Sequence, residues 1–312
     1  MNILVYGAGG VGGYFGGRLA QSGQNVTFIA RGAHLAALRE RGLRVESIAG
    51  NFAIRPVQAT DDPNQADTPD VVLVTIKTWD IPAAAKALQP VIAPRTFIVP
   101  LQNGVTAPEE LAAVLGQERV LGGLCRISAL VGEPGLIRHV GVEPYIAFAE
   151  LDGKKTERVE QLRSAFSACE GLQVEIPADI QAALWSKFLF IASISGLGAV
   201  TRQPVGVFRA VPESRAMLVA TLEETAAVAR ARGINLPNDA VQKTLAFIDS
   251  TPPTVLASMQ RDVMQGKPSE LESQNGAIVR LGRELGVPTP THAFIYASLL
   301  PGELQARQQL AI

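Results

Sequence analysis

The chain is poor in the residues that mark a metal centre, a disulfide framework or a strongly charged partner. Its 312 residues include only two cysteines, Cys125 and Cys169, and three histidines, His34, His139 and His292. Their spacing matches no zinc motif and no disulfide scaffold, so ordinary buried thiols and no metal are expected. Lys plus Arg number 28 against 29 for Asp plus Glu, a net charge of −1, which removes the electrostatic case for nucleic acid. Long hydrophobic runs are also missing. The longest charge-free apolar stretch beyond the N-terminus, residues 188–200, falls short of the roughly 20 residues a bilayer needs and is broken by Ser and Gly. The N-terminus has no charged n-region and reads directly into a strand and glycine loop, so no signal peptide is expected. These absences point to a cytoplasmic protein with no membrane partner, long enough for two domains.

Glycine, by contrast, is abundant, with 29 residues, and its placement at the N-terminus is informative. An apolar strand over residues 3–6 runs into Gly7-Ala8-Gly9-Gly10-Val11-Gly12, which spells G-x-G-x-x-G, and then into a segment that can be helical. Gly7 permits a tight turn, Gly9 lets a pyrophosphate approach the backbone, and Gly12 allows a helix to pack closely on a strand. The helix N-terminus beyond offers N–H groups and a partial positive charge to that anion. A dinucleotide site is expected here. A second strand over residues 25–30 ends at Arg31, nineteen residues past Gly12, and no acid occurs between Gly12 and Glu40. A carboxylate at that point would favour the ribose 2′-hydroxyl of NAD, whereas a guanidinium can hold a 2′-phosphate with two parallel hydrogen bonds. The expected cofactor is NADP(H).

Apolar patterning divides the chain. Strand and helix patterns alternate through the first half, with helices over 33–41 and up to 88, and strands over 43–47, 52–57, 71–76 and 96–99. The run 71–76 is continuously apolar or β-branched, as in a strand buried on both faces. Such alternation implies right-handed crossovers and a parallel, doubly wound sheet. Segments 120–128, 135–139, 145–148 and 173–176 read as further strands extending it. From about Asp179 helical patterns dominate, over 180–195, 212–232, 237–247, 255–265, 269–285 and 290–299, with Gly233 and Gly286 placed as helix-terminating glycines. The expected fold class is α/β, an N-terminal Rossmann-type domain over residues 1–178 followed by an all-helical domain over 179–312.

Ligands of open α/β sheets bind beyond the carboxyl ends of the strands, where Arg31, Lys77 and Asn103-Gly104 fall. In the helical half, Lys187 is the only charge between Asp179 and Arg202. It reads either as a snorkelling surface lysine or as a desolvated ammonium that protonates a carbonyl oxygen. Lys187, Ile191 and Ser195 share one helix face by i, i+4 spacing. Ser269 and Glu272 form S-x-x-E, a capping box that would start a helix with Glu270 in its first turn.

Taken together, GAGGVGG, Arg31 after the second strand, VTIK with Lys77, LQNG with Asn103, LWSK with Lys187, and SMQRD with Ser258 twelve residues before Glu270 resemble the ketopantoate reductase (2-dehydropantoate 2-reductase) family over essentially the whole chain. The resemblance implies an NADP-dependent oxidoreductase that reduces a 2-keto acid to a 2-hydroxy acid, with 2-dehydropantoate as the expected substrate. It implies Lys187 as proton donor to the substrate carbonyl, Glu270 binding and orienting around the active site, and Ser258 contacting substrate. Lys77, Asn103 and Ser128 would line the nicotinamide side of the cofactor, and Asn103 would also meet substrate. The partner is then a small 2-keto acid, and a homodimer is a candidate assembly. Ketopantoate-specific members place asparagines one and two turns beyond the catalytic lysine and again downstream, where this chain has Ile191, Ser195 and Val205. That departure leaves open a paralogue acting on a bulkier, more apolar acid. A low-activity NADP-sensing protein is the remaining alternative.

Overall fold

The computed structural model describes residues 1–309 and forms two compact units. The first comprises Met1–Gln102 and Ala107–Ile180; the second comprises Asn103–Thr106 and the chain from Gln181 onward. A four-residue segment from the first half of the sequence thus groups with the helices.

In the first unit, five strands make a parallel sheet in the order β5-β2-β1-β6-β7: β1 Asn2–Tyr6, β2 Asn25–Ile29, β5 Gln58–Thr60, β6 Val71–Val74 and β7 Phe97–Pro100. The chain runs outward from β1 in one direction through β2, then crosses back to β6, so the strand order reverses beside β1. Residues alternate between the two faces. Val5, Phe28, Leu73 and Val99 join Tyr14, Phe15 and Leu19 of α1 (Gly10–Gln21) in one apolar cluster. Leu4, Ile29, Val72 and Ile98 join Ile81, Ala84 and Leu88 of α3 (Ile81–Leu88) and Leu111 of α4 (Ala107–Leu115) in another. Burial on both faces is why Val71–Val74 is apolar without a break. The α2 helix (Gly32–Arg41) follows β2.

The later strands do not extend this sheet as expected. β3 (Leu43–Ser47), β4 (Phe52–Ile54), β9 (Ala129–Glu133) and β10 (Leu136–His139) form a separate sheet in the order β4-β3-β10-β9, and β8 (Gly122–Arg126), β11 (Tyr145–Ala149) and β12 (Gln173–Glu175) form a third in the order β12-β11-β8. The third touches the parallel sheet through one bridge, Ile98 to Val120. The reason is local pairing: β9 and β10 close antiparallel around Pro134-Gly135, and β11 pairs antiparallel with β8, so no crossover returns these strands to the parallel sheet. Strand β9 escaped the sequence reading because four of its five residues are exposed, leaving no apolar alternation. The helix α5 (Glu157–Ser167) completes the unit. Cys125 and Cys169 are buried free thiols within it.

The second unit contains α6 (Ile180–Thr201, of which Ile180 groups with the first unit), the single turn α7 (Val205–Phe208), α8 (Pro212–Ala231), α9 (Ala240–Ser250), α10 (Ser258–Met264), α11 (Ala277–Leu285) and α12 (Pro290–Ala306). Gly233 and Gly286 follow α8 and α11 with φ of +79° and +69°, the left-handed ends that glycine allows. The structure corrects the length expected of α6. It has 22 residues, and its most apolar 18-residue window has a mean hydropathy of 1.5, long and apolar enough to cross a membrane on those grounds alone; 67% of that window is buried inside the fold. Its apolar surface therefore serves the core of the helical unit.

Candidate active site

The glycine loop is held by its neighbours. Gly7 and Ala8 donate their backbone N–H groups to the Ile29 carbonyl at 3.2 and 3.1 Å, and Thr75 Oγ1 donates to the Gly7 carbonyl at 2.7 Å. Gly7 has φ +113°, which an L side chain rarely adopts. At Gly12 a Cβ would stand 2.1 Å from the Gly7 carbonyl oxygen and 2.3 Å from Thr75 Oγ1, so only glycine lets α1 approach β1 and β6 this closely. Gly9 is different: nothing lies within 4 Å of where its Cβ would be. No side chain caps α1, and its first turn has no acid. Open space over Gly9, next to an uncapped helix N-terminus, fits a pyrophosphate. At Gly10 the constraint comes from elsewhere, since a Cβ would lie 2.2 Å from the Ala129 carbonyl oxygen of β9. Ser128, half-buried, therefore stands one residue from the strand that presses on this loop. Val11 is partly exposed at the loop's end. The helix itself is anchored by Arg18, whose buried guanidinium donates to the Ala49 carbonyl at 2.6 Å and lies 4.3 Å over the Phe52 ring.

Arg31 is exposed immediately after β2 and hydrogen-bonds the hydroxyl of Tyr6, the last residue of β1. Burial pushes the Tyr6 hydroxyl up from its ordinary pKa; Arg31 pulls it down and Asp80 pushes it further up. Lys77 is exposed after β6 with its ammonium 5.6 Å over the Trp79 ring. The strand end that carries Lys77 is secured by Gln102, whose Nε2 donates to the carbonyls of Val74 and Ile76 at 2.9 and 3.1 Å. Tyr6, Thr75, Asp80 and Gln102 were not singled out from the sequence. Thr75 and Gln102 lie inside VTIK and LQNG, so proximity to those motifs was the available signal.

In the helical unit, Lys187 and Ile191 are half-buried on α6, while Ser195, one turn further, is fully enclosed with no partner for its hydroxyl among the described residues. The shared face thus runs from the rim of the unit into its interior. Val205, at 1% exposure, is core; its N–H donates to the Val255 carbonyl. Ser258, half-buried, opens α10.

Glu270 is buried, and Ser269 Oγ accepts the Leu271 N–H at 3.3 Å, but the capping box expected between Ser269 and Glu272 does not form. The Ser269 N–H and hydroxyl are taken by the Glu303 carboxylate of α12, and Arg307 closes the ring by donating to Glu303 and to the Ser269 carbonyl. Glu272, the expected capping partner, instead accepts from Arg280 and from Tyr296. A distant carboxylate with an arginine beside it outcompeted the local one. After Glu270 the chain makes a π-helical turn, Glu272–Gly276, before α11. Such turns widen a helix and often mark functional positions. This one is docked on α6 by Asn275, which donates to the Ala192 carbonyl at 3.3 Å and to His292 Nδ1 at 2.9 Å. A Cβ on Gly196 would lie 2.4 Å from the Asn275 amide, so a glycine there is what admits it. His292 donates from Nε2 to the Thr221 carbonyl at 3.0 Å, which makes it neutral, and burial pushes its pKa down. Finally, a Cβ on Gly104, where φ is +120°, would lie 3.1 Å from the Ser273 carbonyl oxygen. The Asn103-Gly104 turn therefore sits against the segment that follows Glu270. Asn103, Lys187 and Glu270, separated by more than a hundred residues in part, occur in one unit.

Residues 3–153 match the sequence profile of ketopantoate reductase PanE/ApbA, and residues 179–302 match that of its C-terminal domain. The chain belongs to the ketopantoate reductase PanE/ApbA family. The family is NADPH-dependent and reduces 2-keto acids, and this member is an oxidoreductase. It is 31% identical to the uncharacterized oxidoreductase YkpB of Bacillus subtilis (strain 168), over 96% of this chain and 98% of that one. It is 29% identical to a 2-dehydropantoate 2-reductase of Mesorhizobium japonicum, over 93% and 94% of the two chains. Among solved structures, the PanE/ApbA family ketopantoate reductase of Ralstonia eutropha JMP134 superposes with a TM-score of 0.89 at 32% identity, covering 98% of this chain and all of that one.

Proposed function

We propose that this ketopantoate reductase family member reduces 2-dehydropantoate to the corresponding 2-hydroxy acid with NADPH. The observation that carries this reading is the docking of the Glu270 turn on α6 through Asn275 and Gly196 and on the Asn103-Gly104 turn through Ser273, which groups the Lys187 helix, the Glu270 segment and the Asn103 turn in one unit. Bound NADPH supplies the hydride to the keto carbon. As that carbon is reduced, charge develops on its oxygen, and the Lys187 ammonium stabilises the charge and hands over the proton that completes the hydroxyl. Glu270 provides a carboxylate that binds and orients groups around the reacting centre. By the family resemblance, Ser258 and Asn103 would contact the acid, and Lys77, Asn103 and Ser128 would hold the nicotinamide. The residues of the Gly7–Gly12 loop and Arg31 hold the pyrophosphate and the 2′-phosphate.

One observation favours a variant of this reading. Ile191 stands half-buried one turn from Lys187, and Val205 is sealed in the core, at positions where ketopantoate-specific relatives carry asparagine amides. Losing such donors weakens selection for a hydroxylated acid and favours a bulkier, more apolar one. Steady-state rates with NADPH and a panel of 2-keto acids separate the two: 2-dehydropantoate ahead of every apolar analogue by orders of magnitude supports the first, and the reverse order supports the second. Lys187→Ala should lower kcat by about 10²- to 10⁴-fold while NADPH binding survives. Turnover within a fewfold of the parent chain would remove Lys187 from the chemistry and favour a dinucleotide-sensing role.

A further inference from the structure

β1, β2 and β6 are adjacent and parallel, and Tyr6 is in register with Ile29 on one side and Val74 on the other, so three strand ends open at one edge. The Tyr6 ring packs with Ile29, Val74 and Ile81 on the face covered by α3. Arg31 leaves the same edge two residues after Ile29 and hydrogen-bonds the Tyr6 hydroxyl. Asp80 is the residue before Ile81, delivered by the one-turn helix Thr78–Asp80. Its backbone N–H is bound to the Lys77 carbonyl, and its side chain makes no capping hydrogen bond to α3. Arg31 thus reaches the Tyr6 hydroxyl from the end of β2, and Asp80 follows β6, the strand on the other side of β1. In dinucleotide folds the end of the second strand receives the adenosine ribose, where an acid suits a 2′-hydroxyl and an arginine suits a 2′-phosphate. Here Arg31 follows β2, while the acid arrives from beyond β6, forty-nine residues away in sequence and invisible to a search for an acid next to β2.

We propose that Asp80 is a cofactor-discriminating residue: its carboxylate opposes Arg31 at the ribose 2′ position, so that this chain binds NADH as well as NADPH with a narrowed preference for the phosphorylated form. The inference rests on reading the glycine loop as a dinucleotide site. A 2′-phosphate carries close to two negative charges near neutral pH, so a neighbouring like charge weakens its affinity about fivefold even in high dielectric. Salt screens that effect, with a Debye length of about 10 Å at 0.1 M.

The test titrates the full chain with NADPH and NADH separately, following nicotinamide fluorescence, at about 0.02 M and about 0.5 M NaCl. Asp80→Asn and Asp80→Ala are compared with the parent chain; Asp80 is exposed and caps nothing, so both should fold, and circular dichroism melts verify it. At low salt each variant should bind NADPH about fivefold tighter and NADH no tighter, and the gain should shrink at high salt. Arg31→Ala should move the preference the other way. An NADPH-to-NADH affinity ratio that stays within twofold of the parent in both Asp80 variants at low salt overturns the inference and leaves the functional reading standing. A parent chain that binds neither dinucleotide overturns both.

Discussion

Replacing Glu303 by Gln offers the sharpest test of how the Glu270 segment is held. The carboxylate accepts the Ser269 N–H at 3.0 and 3.1 Å, the Ser269 hydroxyl at 2.5 Å and Arg307 Nε at 2.6 Å, with its side chain 6% exposed. Glutamine keeps the volume but has one acceptor oxygen and one donor NH₂. If the oxygen stays with Ser269, the NH₂ confronts Arg307, so a charge-assisted bond worth about 1.5–3 kcal/mol is lost and a buried donor is stranded. The expected cost is about 3 kcal/mol, which at about 3 °C per kcal/mol for a unit of this size lowers the melting transition of the helical unit by about 9 °C. Scanning calorimetry of parent and variant measures it, and a cycle with Arg307→Met should return a coupling energy of about 1 kcal/mol or more. A melting point within about 2 °C of the parent, or additive losses in the cycle, would refute the claim that this carboxylate anchors Ser269.

Gly12→Ala places a methyl 2.1 Å from the Gly7 carbonyl oxygen, and backbone cannot yield as a flexible side chain does. The variant should lose about 1–3 kcal/mol of stability, and dinucleotide affinity should fall at least about tenfold; binding within twofold of the parent contradicts the loop assignment. His292, whose pKa is pushed below its ordinary value by burial, predicts an acid limit to stability. Below a pH of about 6.5 the unfolded chain takes up a proton that the folded imidazole resists, so stability is complete above that value and falls as pH drops. Glu224, which accepts the His292 backbone N–H at 3.0 Å, works against this shift without reversing it. Thermal melts from pH 7.5 to 5 should show a shallower slope for His292→Gln than for the parent, and parallel slopes would exclude His292 as the source.

Much of the first unit could be read along the chain because its signals are local. The turn at Gly7 and the apolar run of β6, like the terminating glycines after α8 and α11 in the second unit, depend on residues within a few positions of one another. The failures share one cause: a residue pattern does not say which partner the segment meets. Ser269 and Glu272 have the spacing of a capping box, yet Glu303 and Arg307 capture Ser269 from α12. The absence of an acid between Gly12 and Glu40 is true of the sequence and incomplete for the fold, because β6 lies beside β1 and Asp80 follows it, where its charge acts on the Tyr6 hydroxyl. The segments after residue 120 pattern as strands, but strand pattern carries no partner: β9–β10 and β8–β11 pair antiparallel, β10 and β12 find parallel partners in β3 and β11, and two other sheets result.

Composition and spacing along the chain were enough for a dinucleotide-type α/β unit followed by helices and for singling out Arg31, inferences that need only backbone preference and short-range periodicity. Lys187 and Glu270, by contrast, took their roles from the family resemblance. Tertiary structure decided which groups meet: Asn275 against Gly196, the Asn103-Gly104 turn against Ser273, and Asp80 with Arg31 around Tyr6. Each of these meetings is fixed by packing between elements, whose energy depends on shape in three dimensions and leaves no periodic trace in one.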